Sequence, residues 1–227
     1  MHPTNSGYIV SDICDTLFYS NTTFDFISFC IRKKKVPTLK IASYRLFLSK
    51  TSPFFYCLAV LQKIRGKDYL KARALKIFKG VPIEKMEQWT EEFYTEILRH
   101  SKIQETHTLL NRFDPEKIIL ASSTIEPVAK LISKKLPAGR YVATSLEIKG
   151  NVYTGKIRRE ISARKMKAIE EITAPSEMIH MAISDNHTDR QLLETAIEKI
   201  AICYKKSDIL FWKKIPGITI LTLSRKH

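Results

Sequence analysis

The hydrophobic positions of this chain keep two different rhythms. Tyr8-Ile9-Val10, Ile118-Ile119-Leu120-Ala121, Met178 to Ser184, Ile200 to Tyr204 and Ile218 to Leu223 are short, β-rich, largely apolar runs. Such runs suit strands buried on both faces of a sheet. The first three open onto polar clusters: Ser11-Asp12-Ile13-Cys14-Asp15, Ser122-Ser123-Thr124 and Asp185-Asn186-His187-Thr188-Asp189. Helical patterns follow Thr124 as far as Leu136 and occupy Ile161 to Ile172, while Tyr141 to Ile148 and Val152 to Ile157 alternate around Lys149-Gly150-Asn151 as a hairpin does. Strand, helix, strand, with polar residues where each strand ends, predicts an α/β fold whose mainly parallel sheet has one working edge.

From about Thr23 to Leu110 the rhythm is helical throughout. Phe26, Phe29 and Cys30 share one helix face, and Phe54, Phe55, Leu58 and Leu61 share another. Pro82 opens a third helix carrying Met86, Trp89, Phe93 and Ile97. Asp114-Pro115 then marks the turn back to the α/β pattern. Residues 1–22 and 111–227 are therefore expected to form a core domain, interrupted at 23–110 by an inserted α-helical cap domain.

Charge separates the two regions further. The 227-residue chain carries a net charge of +15, yet the segment from Arg32 to Lys79 alone holds fourteen Lys or Arg against one acid, Asp68. Phosphorylated substrates, anionic lipid and nucleic acid are the partners such a charge admits. Nucleic acid is disfavoured, because no stacking array or known binding motif accompanies the basic residues. The same segment contains Phe47, Phe54, Phe55, Tyr56 and Leu58, and this mixture fits peripheral contact with an anionic membrane. A helical cap with basic flanks and its own small core is the plainer reading. The longest uncharged run there, Thr51 to Gln62, is too short to span a bilayer, and the first residues lack a signal-peptide pattern. Cys14, Cys30, Cys57 and Cys203 are scattered without a CxxC pair, so neither a zinc site nor a disulfide framework is indicated, and a cytoplasmic location is expected.

The polar clusters carry the chemistry. The first strand runs into Asp12-Ile13-Cys14-Asp15-Thr16-Leu17, and the second into Ser122-Ser123-Thr124-Ile125-Glu126-Pro127. Thr154-Gly155-Lys156 is followed by Arg164-Lys165-Met166-Lys167, and an apolar strand leads to Ser184-Asp185-Asn186-His187-Thr188-Asp189-Arg190-Gln191-Leu192-Leu193. Four motifs in this order resemble the haloacid dehalogenase superfamily, in its phosphoserine-phosphatase-like branch, and the resemblance spans nearly the whole chain. It implies a Rossmann-like core with a helical cap and a Mg2+-dependent phosphatase working through an aspartyl-phosphate. By the resemblance Asp12 is the nucleophile, and Ser122 or Ser123 with Lys165 binds phosphate. The metal falls to Asp12, the main-chain carbonyl of Cys14, Asp185 and Asp189. Magnesium suits that chemistry, since it prefers few carboxylates completed by water and phosphate.

Read singly, each residue has a plainer role. Asp12 and Asp15 could form a turn, Ser122 or Ser123 a helix N-cap, Lys165 part of a solvated face, and Asp185 and Asp189 helix-start acids. His187 reads as a variable loop position, and Trp89 and Trp212 as packing residues. Two departures from the family pattern matter. Cys14 stands where most relatives have the acid/base Asp, and Asp15 stands where they usually have Gly; a role for Asp15 in proton transfer is therefore expected. Tyr19-Ser20-Asn21-Thr22-Thr23 contains no acid to meet a substrate ammonium, which argues against phosphoserine and for a phosphorylated lipid or another anionic molecule. A degenerate protein that binds phosphate and metal without turnover is the competing expectation.

Overall fold

The computed structural model describes residues 7–136, 138–174 and 177–224. In chain order the elements are β1 (Tyr8–Ser11), α1 (Thr22–Arg32), α2 (Thr38–Leu48), α3 (Pro53–Arg65), α4 (Tyr69–Ala74), α5 (Ile83–Glu96) and α6 (Gln104–Leu110). There follow β2 (Ile118–Ile125), α7 (Glu126–Lys135), β3 (Arg140–Lys149), β4 (Val152–Arg159), α8 (Lys165–Glu170), β5 (Ile179–Ser184), α9 (Arg190–Thr195), β6 (Glu198–Cys203), α10 (Lys206–Trp212) and β7 (Ile218–Thr222). They divide into two compact units, one of residues 7–22, 94–144 and 160–224, the other of 23–93 and 145–159.

In the first unit the strands lie in the order β3-β2-β1-β5-β6-β7, and every neighbouring pair is parallel. This is the Rossmann-like α/β sheet that the apolar strand runs predict. Tyr8 and Val10 of β1, Ile119 and Ala121 of β2 and Ala182 of β5 pack on Ala168 and Ile169 of α8, Leu192 and Leu193 of α9, and Trp212 of α10. Alternate residues of each strand share a face, so uncharged strands can bury both sides. Trp212 is wholly buried, in keeping with its reading as a packing residue.

The register fixes where the strands end. Ser11 is level with Leu120 on one side and with Ile183 on the other. From β1 the chain builds outward through β2 and β3, and later from β5 through β6 and β7 in the opposite direction. The β1/β5 boundary is therefore the topological switch point, where helices leave a crevice beyond the carboxyl ends of the strands. Asp12 follows β1 there, and Asp185 follows β5.

The second unit differs from expectation in its limits. It ends at Phe93 rather than Leu110, and it includes the hairpin half formed by 145–159. Hydrogen bonds explain both changes. In α6, the Thr106 hydroxyl donates to the Thr16 carbonyl at 2.7 Å and His107 Nε2 lies 3.0 Å from the Leu17 oxygen, binding this helix to the first unit. In the hairpin, Gly80 N–H donates to Tyr153 O at 2.7 Å and Ile83 N–H to Asn151 O at 3.0 Å, binding it to the second. Gly155 sits at φ +77, and a Cβ there would lie 3.0 Å from the Lys76 Cα, so any other residue would be strained in this close approach. Phe26 lies 5.4 Å from both Phe78 and Phe93, centroid to centroid, and these rings form the unit's core. The face expected on Phe54, Phe55, Leu58 and Leu61 is buried only in part: Phe55, Leu58 and Leu61 are half-buried, Phe54 is exposed, and neither α2 nor α3 contains a fully buried residue.

Candidate active site

Asp12, Ser122, Lys165, Asp185 and Asp189 come from four separate segments, and the first unit brings them to one edge of its sheet. Asp12 is 3% exposed, and its N–H donates to the Ile183 carbonyl at 2.9 Å, so the ladder between β1 and β5 continues into the first polar motif. Its Oδ1 accepts from the Ile13 N–H at 2.7 Å, and its Oδ2 lies 2.9 Å from Lys165 Nζ.

Lys165 is the first residue of α8 and is 4% exposed, which removes the solvated-face reading. Its ammonium also donates to Asp189 Oδ2 at 2.6 Å. Burial alone would lower its pKa, but the Asp12 and Asp189 carboxylates outweigh burial and raise it above the ordinary lysine value. Burial likewise pushes the Asp189 carboxyl up, against the pull of Lys165. With an ammonium donating at 2.6 Å, the ionised pair is the form this geometry favours.

Asp185 pairs with the first motif through Thr16. The Thr16 hydroxyl donates to Asp185 Oδ1 at 3.1 Å, and the Asp185 N–H lies 3.1 Å from that same hydroxyl oxygen. Burial, then the charges of Asp12 and Asp15, push the Asp185 carboxyl up to about 8. Carboxylates crowded out of water in this way call for a cation. Among the described residues no group of three or more His, Cys, Asp and Glu side chains is disposed to hold a metal ion. The expected set of Asp12, Cys14, Asp185 and Asp189 is thus not a side-chain cage. Asp189 Oδ2 accepts from Lys165 and from Ser184 Oγ, each at 2.6 Å, so that oxygen holds the lysine. Two carboxylates, Asp12 and Asp185, with the Cys14 carbonyl remain, a donor set that fits a hard divalent ion completed by water and substrate.

Cys14 is half-buried, with Sγ 3.0 Å from the Thr22 hydroxyl and 3.9 Å from Ser122 Oγ. Burial first, and the charge of Asp12 second, push its thiol up to about 11. The side chain is therefore a neutral thiol at physiological pH. Asp15 is also half-buried and takes φ +47, the left-handed region that glycine occupies at least cost. The Tyr204 hydroxyl donates to its carbonyl at 2.6 Å, from the residue just past β6.

Ser122 is 1% exposed and lies within β2, which runs on to Ile125. The helix-start position expected for Ser122 or Ser123 is corrected accordingly: Ile125 precedes α7, and no side chain caps that helix. The Thr124 N–H donates to Ser122 Oγ at 3.3 Å, and the Ser123 carbonyl accepts from Thr144 Oγ1 at 2.9 Å. Residues that sequence reasoning passed over also shape this edge. Thr16 links the first motif to the last, Ser184 ties Asp189 within its own motif, Thr22 and Thr124 join their hydroxyls, and Tyr204 holds the Asp15 peptide. His187 stacks on Phe211 at 3.9 Å, outside the Asp12 cluster.

Comparison with known proteins bears on the fold and the family. No curated protein matches the chain in sequence. Among solved structures, a protein of unknown function from Bordetella pertussis Tohama I aligns with TM-score 0.74 at 18% identity, covering 94% of this chain and 97% of that one. A HAD family hydrolase from Salmonella enterica subsp. enterica serovar Typhi gives 0.61 at 17% identity, over 96% of this chain and 67% of that one. A phospho-aspartyl intermediate analogue of phosphoserine phosphatase gives 0.54 at 18% identity, over 98% and 94%. At such identities these likenesses speak for the fold. The sequence model of the haloacid dehalogenase-like hydrolases matches residues 9–194, from β1 to within α9. The chain belongs to the haloacid dehalogenase-like hydrolase family.

Proposed function

We propose that the protein is a Mg2+-dependent phosphate monoester hydrolase in which Asp12 becomes transiently phosphorylated. The observation that carries this reading is the buried Asp12 carboxylate at the switch point, with the Lys165 ammonium 2.9 Å away. An Asp12 oxygen attacks phosphorus, the bond from phosphorus to the ester oxygen breaks, and the alcohol leaves with a proton. Water then attacks the acyl phosphate, releasing inorganic phosphate and restoring the carboxylate. Lys165 neutralises charge gathering on the phosphoryl oxygens, in a site too dry for solvent to do so. Asp189 and Ser184 hold that lysine in place. Mg2+ held by Asp12, Asp185 and the Cys14 carbonyl would supply further charge neutralisation.

The proton for the departing alcohol needs a donor with a suitable pKa, and a thiol near 11 is a poor one. Asp15 is the motif's remaining carboxylate, and its charge is felt at Asp185. We assign proton transfer to it. The missing acid at 19–23 and the basic, apolar character of 32–79 favour a phosphorylated lipid, or another anionic and partly apolar ester, over phosphoserine.

Phosphate release from an aryl phosphate, with and without Mg2+, tests the core of this reading. Activity should require the metal and vanish in Asp12→Asn; turnover that survives the substitution would refute it. A panel of phosphorylated lipids and phosphoserine then ranks the substrates.

A further inference from the structure

The second unit carries an outward-facing apolar surface that its own core leaves uncovered. Helices α2 and α3 read TLKIASYRLFL and PFFYCLAVLQKIR, and neither contains a buried residue. Among the described residues, six of the eleven exposed large hydrophobics lie on this pair: Leu39 at 83%, Leu46 at 53%, Phe54 at 45%, Tyr56 at 59%, Val60 at 58% and Ile64 at 74%. They are not scattered. Tyr56, Val60 and Ile64 recur every fourth residue and form one stripe along α3, while Leu39 and Leu46 are two turns apart on α2.

The pair is a built feature rather than a loose tail. Phe47 of α2 and Phe54 of α3 pack at 5.0 Å between centroids, and the Arg73 guanidinium lies 3.7 Å over the Phe47 ring. Arg73 also donates to Ser43 Oγ at 2.9 Å, and the Ser52 hydroxyl, which opens α3, bonds back to the Leu46 carbonyl. These contacts hold the two helices together with their apolar stripes in solvent.

The charge around this surface selects its partner. Of the fifteen charged residues from Arg32 to Lys79, fourteen are basic. The lone acid, Asp68, is engaged as the N-cap of α4, accepting the Lys71 N–H at 2.9 Å. Lys34, Arg45, Lys50, Lys63, Arg65 and Lys67 are exposed. A second copy of the chain would bring two like-charged surfaces together. Nucleic acid would satisfy the charge but leave Leu39, Val60 and Ile64 without purpose. An anionic bilayer answers both features, since apolar side chains enter the interface while Lys and Arg meet the headgroups. No helix among the described residues is long and apolar enough to cross a membrane, so contact through helix faces is the mode that remains.

We propose that α2 and α3 form a docking surface for anionic lipid bilayers. The proposal rests on the helical unit alone and does not depend on the phosphatase reading.

Flotation of the full chain tests it, using phosphatidylcholine vesicles with and without about 30% phosphatidylglycerol. The chain should float with the anionic vesicles only. Binding should fall at least tenfold in Leu39→Ser/Ile64→Ser, which removes exposed apolar groups, and in Lys63→Glu/Lys67→Glu, which reverses charge. Both variants alter exposed positions and should keep the unaltered rate on a soluble aryl phosphate, so loss of docking and loss of catalysis are read separately. The proposal is overturned if the chain stays unbound with anionic vesicles, or if both variants float as the parent does. It is equally overturned if sedimentation shows a dimer that the apolar variant dissolves, or if RNA binds at this face in place of vesicles.

Discussion

Lys165 Nζ lies 2.9 Å from Asp12 Oδ2, although 153 positions of chain separate the two residues, and both side chains are within a few per cent of full burial. A buried ammonium between two carboxylates is stable only while all three charges remain. Lys165→Met should therefore leave Asp12 and Asp189 repelling each other, lowering stability by about 3 kcal/mol in urea unfolding. It should also reduce turnover at least a hundredfold, because the phosphoryl charge loses its fixed counter-charge. Unfolding midpoints and phosphate release, measured on the same preparation, check both effects.

Cys14 makes a separate prediction about pH. Its thiol is pushed up to about 11, so it stays neutral throughout the range in which the protein is assayed. No limb of the rate profile near the ordinary thiol value of about 8.5 should belong to it, and Cys14→Ser should act within about twofold of the parent. Cys14→Asp restores a carboxyl at the family's acid/base position and should raise turnover by about tenfold or more. A profile that breaks near pH 8.5 and flattens in Cys14→Ser would contradict this.

Asp15 combines an unusual backbone with the proposed proton transfer. Asn also tolerates the left-handed region, so Asp15→Asn should change stability by less than about 1 kcal/mol while turnover falls about a hundredfold. Tyr204→Phe removes the hydroxyl that holds the Asp15 carbonyl and should cost about 1 kcal/mol of stability. Full activity in Asp15→Asn, beside a dead Cys14→Ser, would move the proton chemistry to the thiol.

His107 should govern part of the acid sensitivity of the first unit. Burial, reinforced by Lys102 and opposed by its bond to the Leu17 carbonyl, lowers its pKa to about 4. The folded value lies below the unfolded one, so protonation favours the unfolded chain. Its contribution is complete above about pH 6.5 and is lost as pH falls toward 4, by up to about 3 kcal/mol. Unfolding measured from pH 7 to pH 4 should show this loss, and His107→Gln should flatten it.

Much of the first unit could be read in the chain because β1, β2 and β5 are largely apolar runs ending in chemistry. Tyr8 to Val10 leads to Asp12, and Met178 to Ser184 leads to Asp185; a parallel sheet necessarily gathers such ends on one edge. Other features depend on partners far away in sequence. Residues 145–159 announce a hairpin by alternation, but alternation is silent about what the hairpin packs on. Hydrogen bonds from Gly80 and Ile83, another from Tyr153 to Val81, and the close approach at Gly155 assign it to the helical unit. The α6 segment is helical in pattern like the insert before it, yet Thr106 and His107 bind the loop after Asp12. The exposed stripe of Tyr56, Val60 and Ile64 on α3 is equally hidden, since apolar residues in a helical pattern look the same whether they meet a core or solvent.

The central claim is that Asp12 carries the phosphoryl group, and covalent trapping tests it most directly. The protein, mixed with a 32P-labelled phosphate ester and quenched in acid during turnover, should hold acid-stable, alkali-labile label that peptide mapping assigns to residue 12. Phosphate release with no label on the protein, or label on any other residue, would contradict the account.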